Sequence, residues 1–396
     1  MTRPAPRPLG IGLIGFGWMG QAHSRAIVKT AMHFPAATFR PRLVVMSDTV
    51  AERRVQAVAG FGYARATDDW RAVVDAPDVD VVVCTAPNML HLDIIEAAAA
   101  AGKPIMCEKP VGGTPVQTAR AESLARHAGI VTGVGYNYRW APLVQYARSL
   151  IADGTLGEIT NYRGRFFSMY GADPMGLLSW RFLVDEGGYG VTTDILSHSV
   201  DLAHFLLGSK VDRLVATTHT YIRERPLPAA GGTHYDRGRP GDPMGTVTNE
   251  DYVAMLCTFD NGARGAFESS RAIIGPESQN AFEVYGTRGS VIWNLETMNE
   301  LRVYIMRDDE KHTGYTTVYG GDRFPFHGNF VPGSANSIGF EDLVVIEDHE
   351  FLTSVVAGRQ HSPGFAEALD FVSVQDAVLR SAKSERWEDV HSLRID

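Results

Sequence analysis

Asp194 and His198 stand four positions apart in GGYGVTTDILSHSVDLAHFLLG, residues 187 to 208, an apolar stretch of helical texture. At about 100° per residue the two side chains lie roughly 40° apart on a helix, and Asp201 falls on the same stripe. An imidazole with an ordinary pKa near 6.5 accepts a proton at neutral pH, and a carboxylate binds hydroxyls or cations. Three readings are open: proton transfer in a pocket, a metal site built from Asp194, His198 and Asp201, or a solvated face with no chemistry. Periodicity does not choose among them. No supporting His/Glu cluster is evident elsewhere, which weighs against the metal. A third reactive type, Lys109, ends the strand-like run PIMCEKP.

The elements needed to position these groups are visible in the chain order. From residue 11, short apolar runs alternate with helix-length ones: IGLIGF, RLVVMSD, VDVVVCTAP, KPIMCEKP and IVTGVGY are separated by amphipathic or Ala-rich segments. Runs that are apolar throughout fit buried parallel strands, and the interleaved helices fit their crossovers. Residues 1 to 138 are therefore expected to form a doubly wound α/β sheet. Lys109 then falls at the carboxyl end of a strand, where such sheets bind ligands.

After about residue 140 the pattern changes to α+β. A helix (APLVQYARSLIADG) and a long strand (GEITNYRGRFFSMYG) precede the opening segment, and strands joined by tight turns follow it. Asn261-Gly262 between two β-rich runs predicts a hairpin, as does the Gly-containing turn in AFEVYGTRGSVIWN. Residues 139 to 396 are expected to form a second domain with an open, mostly antiparallel sheet. The helix EALDFVSVQDAVLRSAKSE closes it and can pack back on the first domain. The Pro/Gly-rich residues 224 to 248 read as a long loop.

GFGWMG supplies Gly15, Gly17 and Gly20 in the G-x-G-x-x-G pattern, directly after a strand and at the start of a helix. In that context the glycines allow a tight turn, backbone approach to a pyrophosphate and close helix–strand packing, and the helix N-terminus faces the anion. Phe16, Trp18 and Met19 line the same turn. Asp48 ends the second strand, where a carboxylate accepts hydrogen bonds from ribose hydroxyls and repels a 2'-phosphate; Thr49 follows it instead of Arg. NAD is therefore expected over NADP. Arg53 and Arg54 could reach a phosphate, but read first as solvated helix residues.

The order GFGWMG, TAPNMLH, CEKP, YNYR and D-x-x-x-H resembles the glucose-fructose oxidoreductase/inositol dehydrogenase/MocA (Gfo/Idh/MocA) family over nearly the whole chain. YNYRWAPLVQYARSLIADGTLGEI and LSWRF look most similar to its pyranoside (levoglucosan-type) and inositol dehydrogenase branches. The resemblance implies a Rossmann domain and a catalytic set of Lys109, Asp194 and His198 meeting at the nicotinamide. His198 would be the general base, Lys109 the group that holds the reacting hydroxyl and relays its proton, and Asp194 the anchor of a neighbouring hydroxyl. It places Thr85, Ala86, Pro87, Asn88, His91, Glu108, Asn137, Trp180 and Arg181 along the cofactor, with His91 tethering the loop beneath it. Tyr136 and Arg139 join the substrate side, and Tyr189, where GGYGVTT departs from the family's glycine run, is expected to add a side chain at the pocket edge. A cis Lys109-Pro110 bond is expected, and no metal.

The implied activity is NAD-dependent oxidation of a secondary alcohol of a sugar, glycoside or cyclitol. The alternatives are glycoside cleavage or epimerisation with a retained NAD, and a non-catalytic dinucleotide-binding regulator. The net charge of -9 without a basic run argues against nucleic acid or an anionic membrane as main partner. No stretch approaches the roughly 18 apolar residues of a membrane span, the first ten residues hold no signal-peptide core, and Cys84, Cys107 and Cys257 read as buried free thiols. A cytoplasmic location follows as an expectation. An open sheet needs its apolar face buried, which predicts a homodimer or homotetramer.

Overall fold

The computed structural model describes residues 5–228 and 236–396. Strands β1 (Arg7–Ile14), β2 (Phe39–Ser47), β3 (Arg65–Thr67), β4 (Val81–Cys84), β5 (Ile105–Cys107) and β6 (Thr132–Val134) form one sheet in the order β3-β2-β1-β4-β5-β6. All its pairs are parallel. Helices α1 (Trp18–His33), α2 (Ala51–Gln56), α3 (Arg71–Val74), α4 (His91–Ala100) and α5 (Pro115–Ala128) lie between the strands in the chain. The strands are apolar throughout because both faces are covered. Ile11 and Leu13 pack with Phe39 and Tyr63, while Ile14, Val82 and Cys84 join a separate cluster with Ile94 and Ile95 of α4. Local signals agree with this fold: α5 starts on a Thr114/Gln117 capping box with Pro115 in its first turn.

The second half contains α6 (Pro142–Ala152), β7 (Ile159–Ser168), α7 (Val184–Gly187), α8 (Gly190–Asp194), α9 (Leu196–Leu207), β8 (Val211–His219), β9 (Glu224–Pro226) and β10 (Met244–Thr246). There follow β11 (Tyr252–Phe259), β12 (Arg264–Ser270), β13 (Ser278–Gly286), β14 (Gly289–Asn294), β15 (Glu300–Ile305), β16 (Thr316–Tyr319), α10 (Phe340–Ala357), α11 (Phe365–Ser384) and β17 (Glu388–Asp389). Nine strands build one open sheet, β16-β15-β14-β13-β7-β12-β11-β8-β17. Only β7 and β12 run parallel; the remaining neighbours are antiparallel. The Asn261-Gly262 turn joins β11 to β12 as the dipeptide predicts, with Gly262 at φ +89°.

Along β11 the buried residues Val253, Met255, Cys257 and Phe259 face the core with α9, α6 and α11, and the intervening residues face outward. The 224–248 segment is not wholly loop: β9 and β10 pair antiparallel at its base. Residues 229–235 lie outside the described part. α10 packs on α1 through Val344, Val345 and Ile346 against Ala26 and Phe34, and its Phe351 and Leu352 complete the core beside Leu9 and Ile11. α11 touches both α5 and β8. Among the described residues, no helix is long and apolar enough to cross a membrane.

Candidate active site

A cleft of about 810 Å³ opens at the carboxyl ends of β1 and β4, where the strand order reverses direction, and runs toward the start of α9. In-register pairing of Ile14 with Cys84 sets Gly15 beside Thr85, whose hydroxyl donates to the Gly15 carbonyl at 2.5 Å. Gly15 has φ +89°, and a Cβ there would come within 2.7 Å of the Thr85 carbonyl oxygen; one at Gly20 would lie 2.1 Å from the Gly15 oxygen. Both positions therefore require glycine. At Gly17 a Cβ would meet nothing within 4 Å, and the residue lines the cleft. No side chain caps the N-terminus of α1, so this end of the helix keeps donors for an anion. Those features fit a dinucleotide pyrophosphate.

Asp48, at the end of β2, is 9% exposed and lines the cleft. Its carboxylate accepts the Phe16 N–H at 2.8 Å and the Val50 N–H at 2.9 Å, which fixes it in place. Arg53 is exposed, as expected of a solvated helix residue, and it also reaches the same carboxylate at 3.3 Å and lines the cleft. Arg54 ties back to the Asp48 and Thr49 carbonyls. Removing the Asp48 carboxylate should lower the kcat/KM preference for NAD over NADP at least about tenfold, the scale of one charge-assisted hydrogen bond. Steady-state kinetics of Asp48→Ala with both cofactors measure this, and an unchanged ratio would show that discrimination lies elsewhere.

At the other end of the cleft Lys109, Asp194 and His198 converge. The Lys109-Pro110 bond is cis, as expected. Lys109 Nζ donates to Asp194 Oδ1 at 2.7 Å and to the Asp194 carbonyl at 2.8 Å. That second bond has a local cause. Asp194 and His198 do not share one continuous helix as the spacing predicts: α8 ends at Asp194, Ile195 forms a one-residue turn with φ widened to −112° (ψ −28°), and α9 begins at Leu196. The Asp194 carbonyl at this break accepts from Lys109 and from Ser197 Oγ.

Burial alone would raise the Asp194 pKa, but the Lys109 and Arg181 charges hold it well below the usual carboxylate range. Tyr170 donates to Asp194 Oδ2 at 2.7 Å, and Arg181 stands 3.6 Å from the same oxygen. His198 is 6% exposed among the rings of Tyr136, Tyr138 and Phe166. Burial and then the Lys109 charge push its pKa well below the ordinary value, against the opposing pull of Asp194. The arrangement combines an imidazole held neutral, an ammonium and a fixed carboxylate at one end of the cleft.

Most other residues singled out from the sequence also line this cleft: Trp18, Met19, Thr85, Ala86, Pro87, Asn88, Glu108, Asn137, Trp180 and Tyr189. Asn88 donates to the Gly187 carbonyl, joining the cofactor side to the segment ahead of α8. His91 lines it too, and its two ring nitrogens face the Ala86 and Pro110 carbonyls. Phe16 and Gly20 do not reach the cleft surface; the Phe16 ring packs on Phe61 and Tyr63, and its contribution is the N–H that orients Asp48.

Tyr136 and Arg139 need correction as residues of the substrate pocket. Tyr136 is buried behind the His198 ring. The Arg139 guanidinium is 5% exposed and forms a two-pronged ion pair with Asp201, at 2.7 and 2.5 Å. Asp201 is thereby turned to Arg139 instead of joining Asp194 and His198. Truncating Arg139 would strand a buried carboxylate, so Arg139→Ala should lose about 3–5 kcal/mol of stability. A denaturant midpoint matching the parent would contradict that role.

Tyr170, Phe166, Ser168, Glu277, Ser278 and Phe340 line the cleft without having been signalled by any motif, and so does Tyr138, which lies within YNYR but is not singled out by it. Tyr170 lies just after β7, and burial followed by the Asp194 charge pushes its pKa up, which keeps the hydroxyl a donor. Phe340, at the start of α10, stacks on Trp18 with ring centroids 5.4 Å apart. Only the approach of separate segments in the fold assembles these groups.

Fold and cleft together are those of a dinucleotide-dependent oxidoreductase, and the comparisons specify which. Residues 9–136 match the oxidoreductase family with an NAD-binding Rossmann fold, and residues 144–292 match the GFO/IDH/MocA C-terminal domain. The chain belongs to this family of NAD-binding oxidoreductases. It is 37% identical to a levoglucosan dehydrogenase of Pseudarthrobacter phenanthrenivorans over 386 residues, 97% of this chain and 99% of that protein. An inositol 2-dehydrogenase of Rhizobium meliloti is 26% identical over 376 residues, 95% of this chain and 97% of its own length. A solved levoglucosan dehydrogenase in complex with NADH and levoglucosan has TM-score 0.91 at 36% identity, covering 97% of this chain and 100% of that one.

Proposed function

We propose that this chain oxidises a secondary hydroxyl of a compact pyranoside, an anhydro-sugar of the levoglucosan kind above all, with NAD as the hydride acceptor. The observation that carries this reading is the junction of Lys109, Asp194, Tyr170 and Arg181 beside His198, in a chain 37% identical to a levoglucosan dehydrogenase. Inositols are the second substrate class to try, on the weaker likeness to an inositol 2-dehydrogenase.

Bound NAD supplies the hydride-accepting chemistry. The protein must then remove the hydroxyl proton and hold the substrate. His198, kept neutral by burial and by Lys109, accepts that proton as general base. Lys109 Nζ, oriented by its two bonds to Asp194, hydrogen-bonds the reacting oxygen and stabilises the charge it develops. The Asp194 carboxylate, fixed by Tyr170 and Arg181, accepts from a neighbouring substrate hydroxyl. Such oriented polar groups suit a neutral, hydroxyl-rich ligand better than an anion.

A panel of anhydro-sugars, pyranosides and inositols with NAD, followed at the NADH absorbance, tests the proposal. Turnover of an anhydro-sugar or pyranoside with kcat/KM well above the inositols supports it; turnover of inositols alone would reassign the substrate. Two companion readings belong to the same proposal. The three buried free thiols support a reducing, cytoplasmic location. The outer face of the nine-stranded sheet carries a groove of about 490 Å³ lined by Val215, Ala254, Leu256 and Ala266, with Leu256 56% exposed, and supports a homodimer or homotetramer through this face. A monomer in sedimentation would reject the latter.

A further inference from the structure

In the cleft wall and directly behind it lie three side chains that the proposed chemistry does not use. Cys84 ends β4 and Cys107 ends β5, as register partners on neighbouring parallel strands, so both thiols point to the same face. His91 opens α4 above them. The two Sγ atoms and a ring nitrogen of His91 all lie within 4.8 Å of one another, and all three residues are buried.

The contacts of the His91 ring bear on the charge of this cluster. Nδ1 lies 2.7 Å from the Pro110 carbonyl oxygen and Nε2 lies 2.8 Å from that of Ala86. A carbonyl only accepts, and a neutral imidazole has a single N–H, so both contacts are hydrogen bonds only when the ring carries both protons. The ring is 1% exposed, and a buried cation requires a counter-anion. The adjacent Cys84 sulfur is the group positioned to be one.

We propose that Cys84 is a thiolate paired with the His91 imidazolium, and that Cys84 and Cys107 form a dithiol which hydroperoxides oxidise to a disulfide. The titration tendencies agree. Burial works to raise the Cys84 pKa, but the S–H of Cys107 and the charge of His91 hold it well below the ordinary thiol value. Burial works to lower His91, but the thiolate and the two carbonyls raise it to about 9. Burial raises Cys107, which therefore keeps its proton, shared between the Cys84 sulfur and the Glu108 carbonyl oxygen 3.3 Å away.

Neighbouring strands about 4.8 Å apart put the two Cα atoms within the roughly 4.4–6.8 Å that a disulfide spans. The oxidant is a hydroperoxide as small as hydrogen peroxide, and His91 itself lines the cleft through which it enters. The Cys84 thiolate attacks one peroxide oxygen, the O–O bond breaks, and Cys84 becomes a sulfenic acid as hydroxide leaves. Cys107 gives its proton to that hydroxide and attacks the Cys84 sulfur, so the S–S bond forms and the sulfenic oxygen departs as hydroxide. The His91 imidazolium protonates this second hydroxide. Two sulfurs have lost two electrons, the peroxide has become two waters, and His91 is neutral.

A neutral His91 keeps only one of its two carbonyl bonds, to Ala86 or to Pro110. Both carbonyls belong to segments of the cleft wall, so oxidation should also weaken NAD. This consequence rests on the reading of the cleft as the NAD site; the cross-link itself does not.

The test treats the full chain with hydrogen peroxide, with and without saturating NAD, and follows it by non-reducing peptide mass spectrometry and NAD titration. We expect a Cys84–Cys107 linked peptide that dithiothreitol reverses, slower formation when NAD is bound, and a rise of at least about tenfold in the NAD dissociation constant of the oxidised protein. Cys107→Ala should stop at a Cys84 sulfenic acid that a dimedone probe captures, and Cys257→Ala should cross-link like the parent. If Cys257 oxidises while no Cys84–Cys107 peptide forms, or if Cys84 in Cys107→Ala labels no faster than Cys257, the dithiol is overturned, whatever the protein's substrate proves to be.

Discussion

Lys109→Met is expected to lower kcat on the true substrate by at least about a hundredfold, while NAD affinity stays within about threefold of the parent. Lys109 Nζ is held by two Asp194 oxygens at the substrate end of the cleft, whereas the glycine turn and Asp48 that fit the dinucleotide lie at the other end. Methionine preserves the length and apolar packing of the stem and removes only the ammonium. The lost rate corresponds to roughly 3 kcal/mol of barrier or more, at 1.36 kcal/mol per tenfold. Two effects reinforce each other: the developing alkoxide loses its hydrogen-bond donor, and the Asp194 carboxylate loses the partner that orients it. Equilibrium NAD titration and steady-state kinetics on the folded variant separate the two ends. A variant that binds NAD and keeps kcat within about tenfold of the parent would remove Lys109 from the catalytic set.

His198→Asn should cost a similar or larger factor, about 10²–10⁴ in rate, because it removes the base and leaves a side chain of related shape. Its pH dependence gives a second and independent signature. The base is active when neutral, and burial together with the Lys109 charge lowers the His198 pKa from 6.5. In the parent, kcat/KM should therefore stay level as pH falls through 6.5 and decline only in more acid solution. This acid limb should be missing from the residual activity of His198→Asn. A parent limb centred above pH 6.5, or one that survives the substitution unchanged, would assign the proton to another group.

Several features of fold and site could be read from the chain because their causes are local. The G-x-G-x-x-G turn, the apolar parallel strands, the Asn261-Gly262 hairpin and the EKP strand end each depend on neighbouring residues alone, and each is found where its pattern falls. The unread parts have non-local causes. β3 is a three-residue edge strand with no buried side chain, too short for any periodicity. In α10, the segment LVVIED is buried throughout because α1 and the N-terminal core surround it from more than one side, so no clean amphipathic stripe marks it. The break at Ile195 involves neither Gly nor Pro; it accompanies the capture of the Asp194 carbonyl by Lys109, 85 positions earlier in the chain. Arg139 pairs with Asp201 across 62 positions, and Tyr170 meets Asp194 across 24, which are contacts of tertiary structure that residue type alone could not assign.

At the Lys109–Asp194–His198 corner, hydride is expected to pass from a substrate carbon directly to NAD in a net oxidation. Isotope transfer measures this most directly. With the best substrate of the sugar panel deuterated at its carbon-bound hydrogens, the NADH recovered after turnover should carry a single deuterium and should equal the oxidised sugar in amount. NADH free of deuterium would contradict direct hydride transfer from carbon, and substrate consumption without net NADH would show that the cofactor is oxidised and reduced within one catalytic cycle instead.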